Sequence, residues 1–246
     1  MAVVRTSRTR RLPRDLDGLA AVARFRMLTR TQLHLWKFAG VSDTVVRRFI
    51  ERMLERGWLG AERLNKNGAQ VLWCTSAGRD ALVEEGSGTE TEFFPGRGPV
   101  AAKDMAHTSA IADVAVRLSE LGRAGDRMMP AWLLQRQLAG RTEVVPDLLC
   151  LSRATDQHRG TVLAVEVDLG GEPIASVLVP KTAKLVAFLQ TYAGSTIGVL
   201  LLTVGERRRA TVRESVRAAR LPLPVVVEDL RDFTHVESVR SSRSDE

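Results

Sequence analysis

The chain has 246 residues, a formal net charge of +7 and 44% hydrophobic residues, enough to bury the core of one large domain or two smaller ones. No apolar run reaches the ~18 residues of a membrane-spanning helix, and the basic N-terminal stretch leads into no apolar signal core, so a soluble cytoplasmic protein is expected. Cys74 and Cys150 stand far apart, each in an apolar run, and read as buried free thiols, which excludes a disulfide scaffold.

The charge is unevenly spread. Residues 1–80 hold 16 Lys or Arg against 7 Asp or Glu, and the remainder holds 20 against 22. A basic first third is what phosphate contact by one module produces; a solvated basic face is the plain alternative. Residues 1–14 carry Arg5, Arg8, Arg10, Arg11 and Arg14 among Ser, Thr and Pro, and are expected to form a disordered basic arm able to follow a DNA groove.

From Asp15, read as a cap, Leu16, Leu19, Ala20, Ala23 and Met27 fall at helical spacing. Thr29 or Thr31 caps a short second helix with Leu33, Leu35, Trp36 and Phe38, broken by Gly40. Ser42 caps a third, whose apolar stripe is Val45, Val46, Phe49, Ile50, Met53 and Leu54 and whose other positions are charged, with Gly57 as its left-handed terminator. Two strands around Asn65-Lys66-Asn67-Gly68 form a hairpin, and Thr75 caps a further helix. This order, over residues 15–85, resembles a winged helix-turn-helix. The resemblance implies that the third helix enters the major groove of double-stranded DNA, led by Ser42, Asp43, Thr44, Arg47 and Arg48, with Lys66 on the wing at a phosphate. Residues 86–99 are a Gly-, Ser- and Pro-rich linker in which Phe93-Phe94 can pin the segment to one domain.

A long helical pattern begins at Val100 and ends at Gly122; His107 lies on it and reads as an ordinary helix residue. Trp132 to Leu138 reads as a strand. The runs Val144 to Leu151 and Thr161 to Asp168 then form a β-hairpin interrupted by Asp147, Glu166 and Asp168, the last two on one strand face. Carboxylates in so apolar a strand are costly to bury unless paired, hydrogen-bonded or bound to a metal. A helix starting at Glu172-Pro173 is kinked or split at Pro180, a buried strand spans Ile197 to Thr203, a basic helix spans Glu206 to Arg220, and Val225 to Glu228 is a last strand whose apolar edge can pair across a homodimer. The polar tail is residues 239–246.

Helix, three strands, helix, strand, with Pro146-Asp147 on the second strand and Glu166 on the third, resembles the PD-(D/E)-x-K nucleases. The fold class expected is therefore α/β overall, a winged helix followed over residues 100–238 by an αβββαβ restriction-endonuclease-like domain with a mixed sheet. The resemblance implies that Asp147, Glu166 and Asp168 hold Mg²⁺, which polarises the scissile phosphate and supplies hydroxide near neutral pH. The motif lysine, two residues after Glu166, is replaced by Asp168; Lys181 or Lys184 can reach in from the next helix, Lys184 being the better placed.

The whole chain is similar to the replication-relaxation family of plasmids and other mobile elements. The residues that carry this are His107-Thr108 with Asp113-Val114, the Pro-Asp strand, Glu166-x-Asp168 followed by Gly170 and Glu172, and Lys184-Leu185; Leu169 stands where that family usually has Arg. Three functions remain open on these residues: a DNA-binding protein of a mobile element, acting in its replication, transfer or control, whose nuclease-like domain is a platform for DNA or self-association and need not be active; a Mg²⁺-dependent endonuclease or nickase; and a winged-helix transcriptional regulator. No glycine-rich phosphate loop, Cys/His metal cluster or Ser/His/Asp arrangement points to another enzyme class.

Overall fold

Helical apolar stripes and one hairpin build the first of two units into which the chain divides, residues 1–101 and 102–246. The computed structural model describes residues 13–63, 69–95, 98–123, 125, 127–138, 144–153, 159–192 and 195–235. Arg5, Arg8, Arg10, Arg11, Lys66 and the polar tail lie outside the described residues.

In the first unit, α1 (Pro13–Arg24) starts with proline in its first turn, so Asp15 lies inside the helix instead of capping it and binds Arg52 at 2.7 Å. A two-residue strand β1 (Leu28–Thr29) leads into α2 (Arg30–Lys37), where Thr29 Oγ1 accepts from Gln32 N at 3.1 Å and Gln32 Oε1 accepts from Thr29 N at 2.7 Å. This reciprocal cap uses two of the amides that a helix start leaves unpaired. Ser42 occupies the cap position of α3 (Asp43–Glu55) but makes no side-chain cap bond, and Asp43 pairs with Arg30. The α3 stripe, Val46, Phe49, Ile50 and Met53, is buried, and Phe49 packs on Phe38 with ring centroids 4.8 Å apart. Gly57 ends the helix at φ +67°. Strands β2 (Leu59–Arg63) and β3 (Gln70–Cys74) form the expected antiparallel hairpin, and β1 adds to the far side of β3, giving the order β1-β3-β2. Thr75 caps α4 (Ser76–Glu84) by accepting from Gly78 N.

The segment read as a linker is packed on this unit. Phe93 is fully buried, Phe94 N donates to Ala23 O at 2.9 Å, Phe94 O accepts from Arg79 Nη1 at 2.9 Å, and Arg26 stacks over the Phe94 ring at 4.5 Å. Two large aromatic surfaces removed from water outweigh the loop-like composition around them.

The second unit runs α5 (Ala102–Glu120), β4 (Arg127–Pro130), α6 (Ala131–Leu138), β5 (Leu148–Ser152) and β6 (Thr161–Asp168). A π-helical turn (Ile174–Leu178) then precedes α7 (Val179–Leu189), β7 (Thr196–Thr203), α8 (Glu206–Ala218), β8 (Val225–Asp229) and α9 (Leu230–Thr234). Five strands form one mixed sheet in the order β4-β5-β6-β7-β8, antiparallel through β6 and parallel from there to β8. Val162, Ala164, Val199, Leu201 and Val227 line one face, covered by Leu133 and Leu134 of α6, Val186 and Leu189 of α7, and Val212 and Val216 of α8. On β8, the outermost strand, Val227 O accepts from Arg213 Nη2 at 3.0 Å. Among the described residues no helix is long and apolar enough to cross a membrane.

Trp132–Leu138 is a helix and not the strand expected of it; the strand is the run just before, Arg127–Pro130. Leu133 and Leu134 are both buried on the side of this helix that packs on the sheet. The carboxylate-bearing hairpin forms as expected, with Leu148 opposite Val165, but β5 starts at Leu148 and leaves Val144 to Asp147 as its lead-in.

Gly78 tests how far packing overrides propensity. A methyl group there would collide with Trp58 O, a backbone atom, and lie 2.8 Å from Cys74 Sγ. Helix propensity alone favours Ala by about 1 kcal/mol. We expect Gly78→Ala to destabilise the first unit by about 1–3 kcal/mol, as overpacking does; a urea midpoint that rises would show that Trp58 yields.

Candidate functional site

Along β6 the buried stripe Val162, Ala164 continues into Glu166, so the alternation that fills the core also carries a carboxylate into it. Glu166 is 2% exposed. One step beyond the Leu148–Val165 pair, Asp147 stands opposite Glu166, and its Oδ2 accepts from Val167 N at 2.8 Å. Lys181, in the first turn of α7, reaches back across the strand end and donates to Glu166 Oε1. The same Nζ lies 3.9 Å from Glu172. Glu166 Oε2 and Glu172 Oε2 are buried and have no hydrogen-bond partner.

His107 enters from α5. Its Nε2 is 3.0 Å from Val167 O and 3.2 Å from Asp147 Oδ2; since a carbonyl oxygen only accepts, Nε2 carries the proton and donates to both. Asp147, the strand amide and His107 thus brace one another.

The electrostatics follow from this packing. Burial, reinforced by the charge of Asp147, pushes the Glu166 carboxyl up to about 8 against the pull of Lys181. Burial draws Lys181 down, but the carboxylates of Glu166, Asp147 and Glu172 more than compensate and leave it above its ordinary value. The hydrogen bond to Asp147 raises His107 above its ordinary value, with burial opposing. A carboxyl poised near neutral pH beside a firmly protonated ammonium can take or give one proton while the lysine keeps its charge.

Asp168 shares the Glu166 face but belongs to a separate cluster. Its Oδ2 accepts from Thr203 Oγ1 at 2.8 Å and Arg208 Nε at 2.5 Å, and its Oδ1 from Gly170 N at 3.0 Å. Burial raises this carboxyl, yet these donors together hold it below the usual carboxylate range. Arg208 also donates to Glu172 O, so α8 ties down both ends of the turn between β6 and α7. With both oxygens of Asp168 engaged, the three acids expected to act together divide into Asp147 with Glu166 on one side and Asp168 on the other. Among the described residues no group of three or more His, Cys, Asp or Glu is arranged to hold a metal ion.

Lys184, expected to be the reaching lysine, gives way to Lys181. The π turn bonds Leu178 N to Pro173 O at 3.1 Å, an i to i−5 step that shifts the helical phase before α7 begins. Lys184, one turn further on and exposed, instead lines a cleft of about 640 Å³ together with Asp147, Lys181, Gln135, Val177 and Pro180. The sequence offers Lys181 only as the alternative to Lys184, presents His107 as an ordinary helix residue whose one signal is its place in the family-like His-Thr pair, and does not single out Arg208.

In the first unit Ser42, Thr44, Arg47 and Arg48 are all exposed at the N-terminal half of α3. Arg47 lies 3.7 Å from Glu51, a solvent-exposed pair that contributes little.

The sequence profile of the replication-relaxation family matches residues 19–199, and the chain belongs to that family. No curated protein matches the chain.

Two tests address the site. At about pH 9, where Glu166 is ionised, Lys181→Met strips it of its counter-charge and should cost on the order of 3 kcal/mol, whereas Lys181→Met with Glu166→Gln should recover most of it; equal losses in the single and double variants, read by chemical denaturation, would show that the pair is not coupled. For His107, the folded value lies above the unfolded 6.5. Its charge therefore stabilises the fold below pH 6.5, and the contribution fades as pH rises through the folded value. His107→Gln keeps an N–H donor without the charge, so its deficit in Tm should be wider at about pH 6 than at about pH 9; a deficit that grows with pH would refute the assignment.

Proposed function

We propose that this replication-relaxation protein is a DNA-binding protein acting in replication or relaxation of a plasmid or other mobile element, and that its first unit is a winged helix-turn-helix that binds double-stranded DNA. The observation that carries the reading is the order α1-β1-α2-α3-β2-β3 with sheet order β1-β3-β2, which leaves the start of α3 free to enter a major groove with Ser42, Thr44, Arg47 and Arg48 facing out. The arm residues Arg5, Arg8, Arg10 and Arg11 and the turn residue Lys66 add phosphate contacts in this reading.

A second reading concerns the second unit, taken as a PD-(D/E)-x-K-like core with DNA-nicking activity. It is favoured by Lys181, which comes from α7 to the place beside Glu166 that the sequence motif leaves without a lysine. Mg²⁺ is commonly held by one or two carboxylates together with the substrate's phosphate. The unpartnered buried Glu166 Oε2 opposite Asp147 fits that use, so these two residues would hold the ion. The ion, when bound, supplies charge neutralisation at the phosphate and a hydroxide near neutral pH. Lys181 would steady the developing charge on the phosphate oxygens, and His107 keeps Asp147 aimed. Asp168 acts through Arg208 on the shape of the β6–α7 turn and has no part in holding the ion.

The first reading predicts that Arg47→Ala with Arg48→Ala weakens duplex binding and lowers the slope of log affinity against log salt by about 1.8, two phosphate contacts' worth; an unchanged slope would remove α3 from the interface. The second predicts Mg²⁺-dependent nicking of supercoiled plasmid that is lost in Asp147→Asn, Glu166→Gln and Lys181→Ala; nicking that survives all three, or none in the wild type, would overturn it.

A further inference from the structure

The cleft beside Asp147 and Lys181 has a composition that a duplex cannot use. Val177, Pro180, Lys181 and Lys184 line it from the π turn and α7, so apolar and cationic side chains stand side by side there, with Val177 40% exposed; Val144 and Val145 line it from the lead-in to β5, and Gln135 adds an amide from α6. In a duplex the faces of the bases are stacked on one another, and a protein meets only their edges and the phosphates. An apolar wall next to phosphate-binding lysines is matched by an unpaired nucleotide, whose base face is free to lie on apolar side chains while its phosphate meets the cations. The volume, about 640 Å³, is within the range of sites that hold a small ligand or one nucleotide.

The geometry points to an unpaired DNA strand as the occupant of this cleft, one base against the Val177–Pro180 wall and the adjoining phosphate between Lys181 and Lys184. This rests on the reading of the second unit as nuclease-like and narrows its substrate to single-stranded or locally opened DNA. Lys184 and Lys181 are three residues apart and so share one side of α7, which spaces two cations along the strand. Asp147 also lines the cleft, so a strand held there runs beside a carboxylate of the candidate site.

The experiment uses the full chain carrying Arg47→Ala and Arg48→Ala, so that duplex binding by the first unit does not mask the second. Anisotropy of a fluorescent single-stranded oligodeoxynucleotide is followed in EDTA, which separates binding from any cutting, with the same sequence as duplex and with a free deoxynucleoside monophosphate as the other probes. Single-strand binding is expected to exceed duplex binding in this background. Val177→Asp and Lys184→Ala are each expected to weaken it by about tenfold, roughly one base or phosphate contact. Both side chains are exposed, so neither change opens the core. Single-strand affinity unchanged in both variants overturns the proposal, as does equal or tighter binding of the duplex. A monophosphate that binds as tightly as the oligonucleotide also overturns it, in favour of a nucleotide pocket. Val177→Asp placed in the otherwise unaltered chain should keep its duplex affinity, so failure of the first unit's DNA reading and failure of this one give different results.

Discussion

A carboxylate 2% exposed at the end of a strand otherwise filled by Val and Ala sets the terms for the second unit. Left alone, Glu166 would shift its titration and weaken the fold, because a buried charge without partners is costly. Lys181 must therefore begin α7 where it does, and the turn between β6 and α7 must be held in place. Arg208, bridging Asp168 and Glu172 O, does the holding from α8. On the other side Asp147 is fixed by Val167 N and His107. Four elements thus meet at one strand end for a reason that is electrostatic before it is functional. Residual imbalance remains in the bare oxygens of Glu166 and Glu172, and natural proteins tend to keep such imbalance where a ligand relieves it.

The two units use charge in opposite ways. In the first, Arg47 and Arg48 of α3 are exposed to water, where a charge costs little. In the second, charged groups are drawn into the core edge and neutralise one another, which fixes their geometry at the expense of solvation.

What could be read beforehand was whatever depends on neighbours in sequence. The Thr29 and Thr75 caps, the Gly57 terminator, the carboxylate-bearing hairpin and the break near Pro180 each follow from a few adjacent residues, and each is present. Trp132 to Leu138 misled because a seven-residue run with four apolar members is too short to separate a period of 2 from one of 3.6. The choice between Lys181 and Lys184 turns on a single π turn, which rotates everything after it and has no marker in its residues. His107 with Asp147 and Arg208 with Asp168 are 40 residues apart in each case, and no local pattern announces such pairs. The acids of the site were thus visible as residues, while their partners emerged only from the tertiary fold.

The Arg213 contact on β8 bears on how this molecule behaves in company. Val199 N donates to Pro224 O, so the alternation of the parallel ladder turns the carbonyls of Val225 and Val227 away from β7, toward the open side of the sheet. An apolar outer strand with Val226 half exposed would ordinarily template the addition of a foreign strand. Here the guanidinium of Arg213 already occupies Val227 O, midway along the strand. Any chain that adds there must first evict a charged donor and bury what it leaves behind, so the sheet carries its own stopper against sticking edge to edge at high concentration.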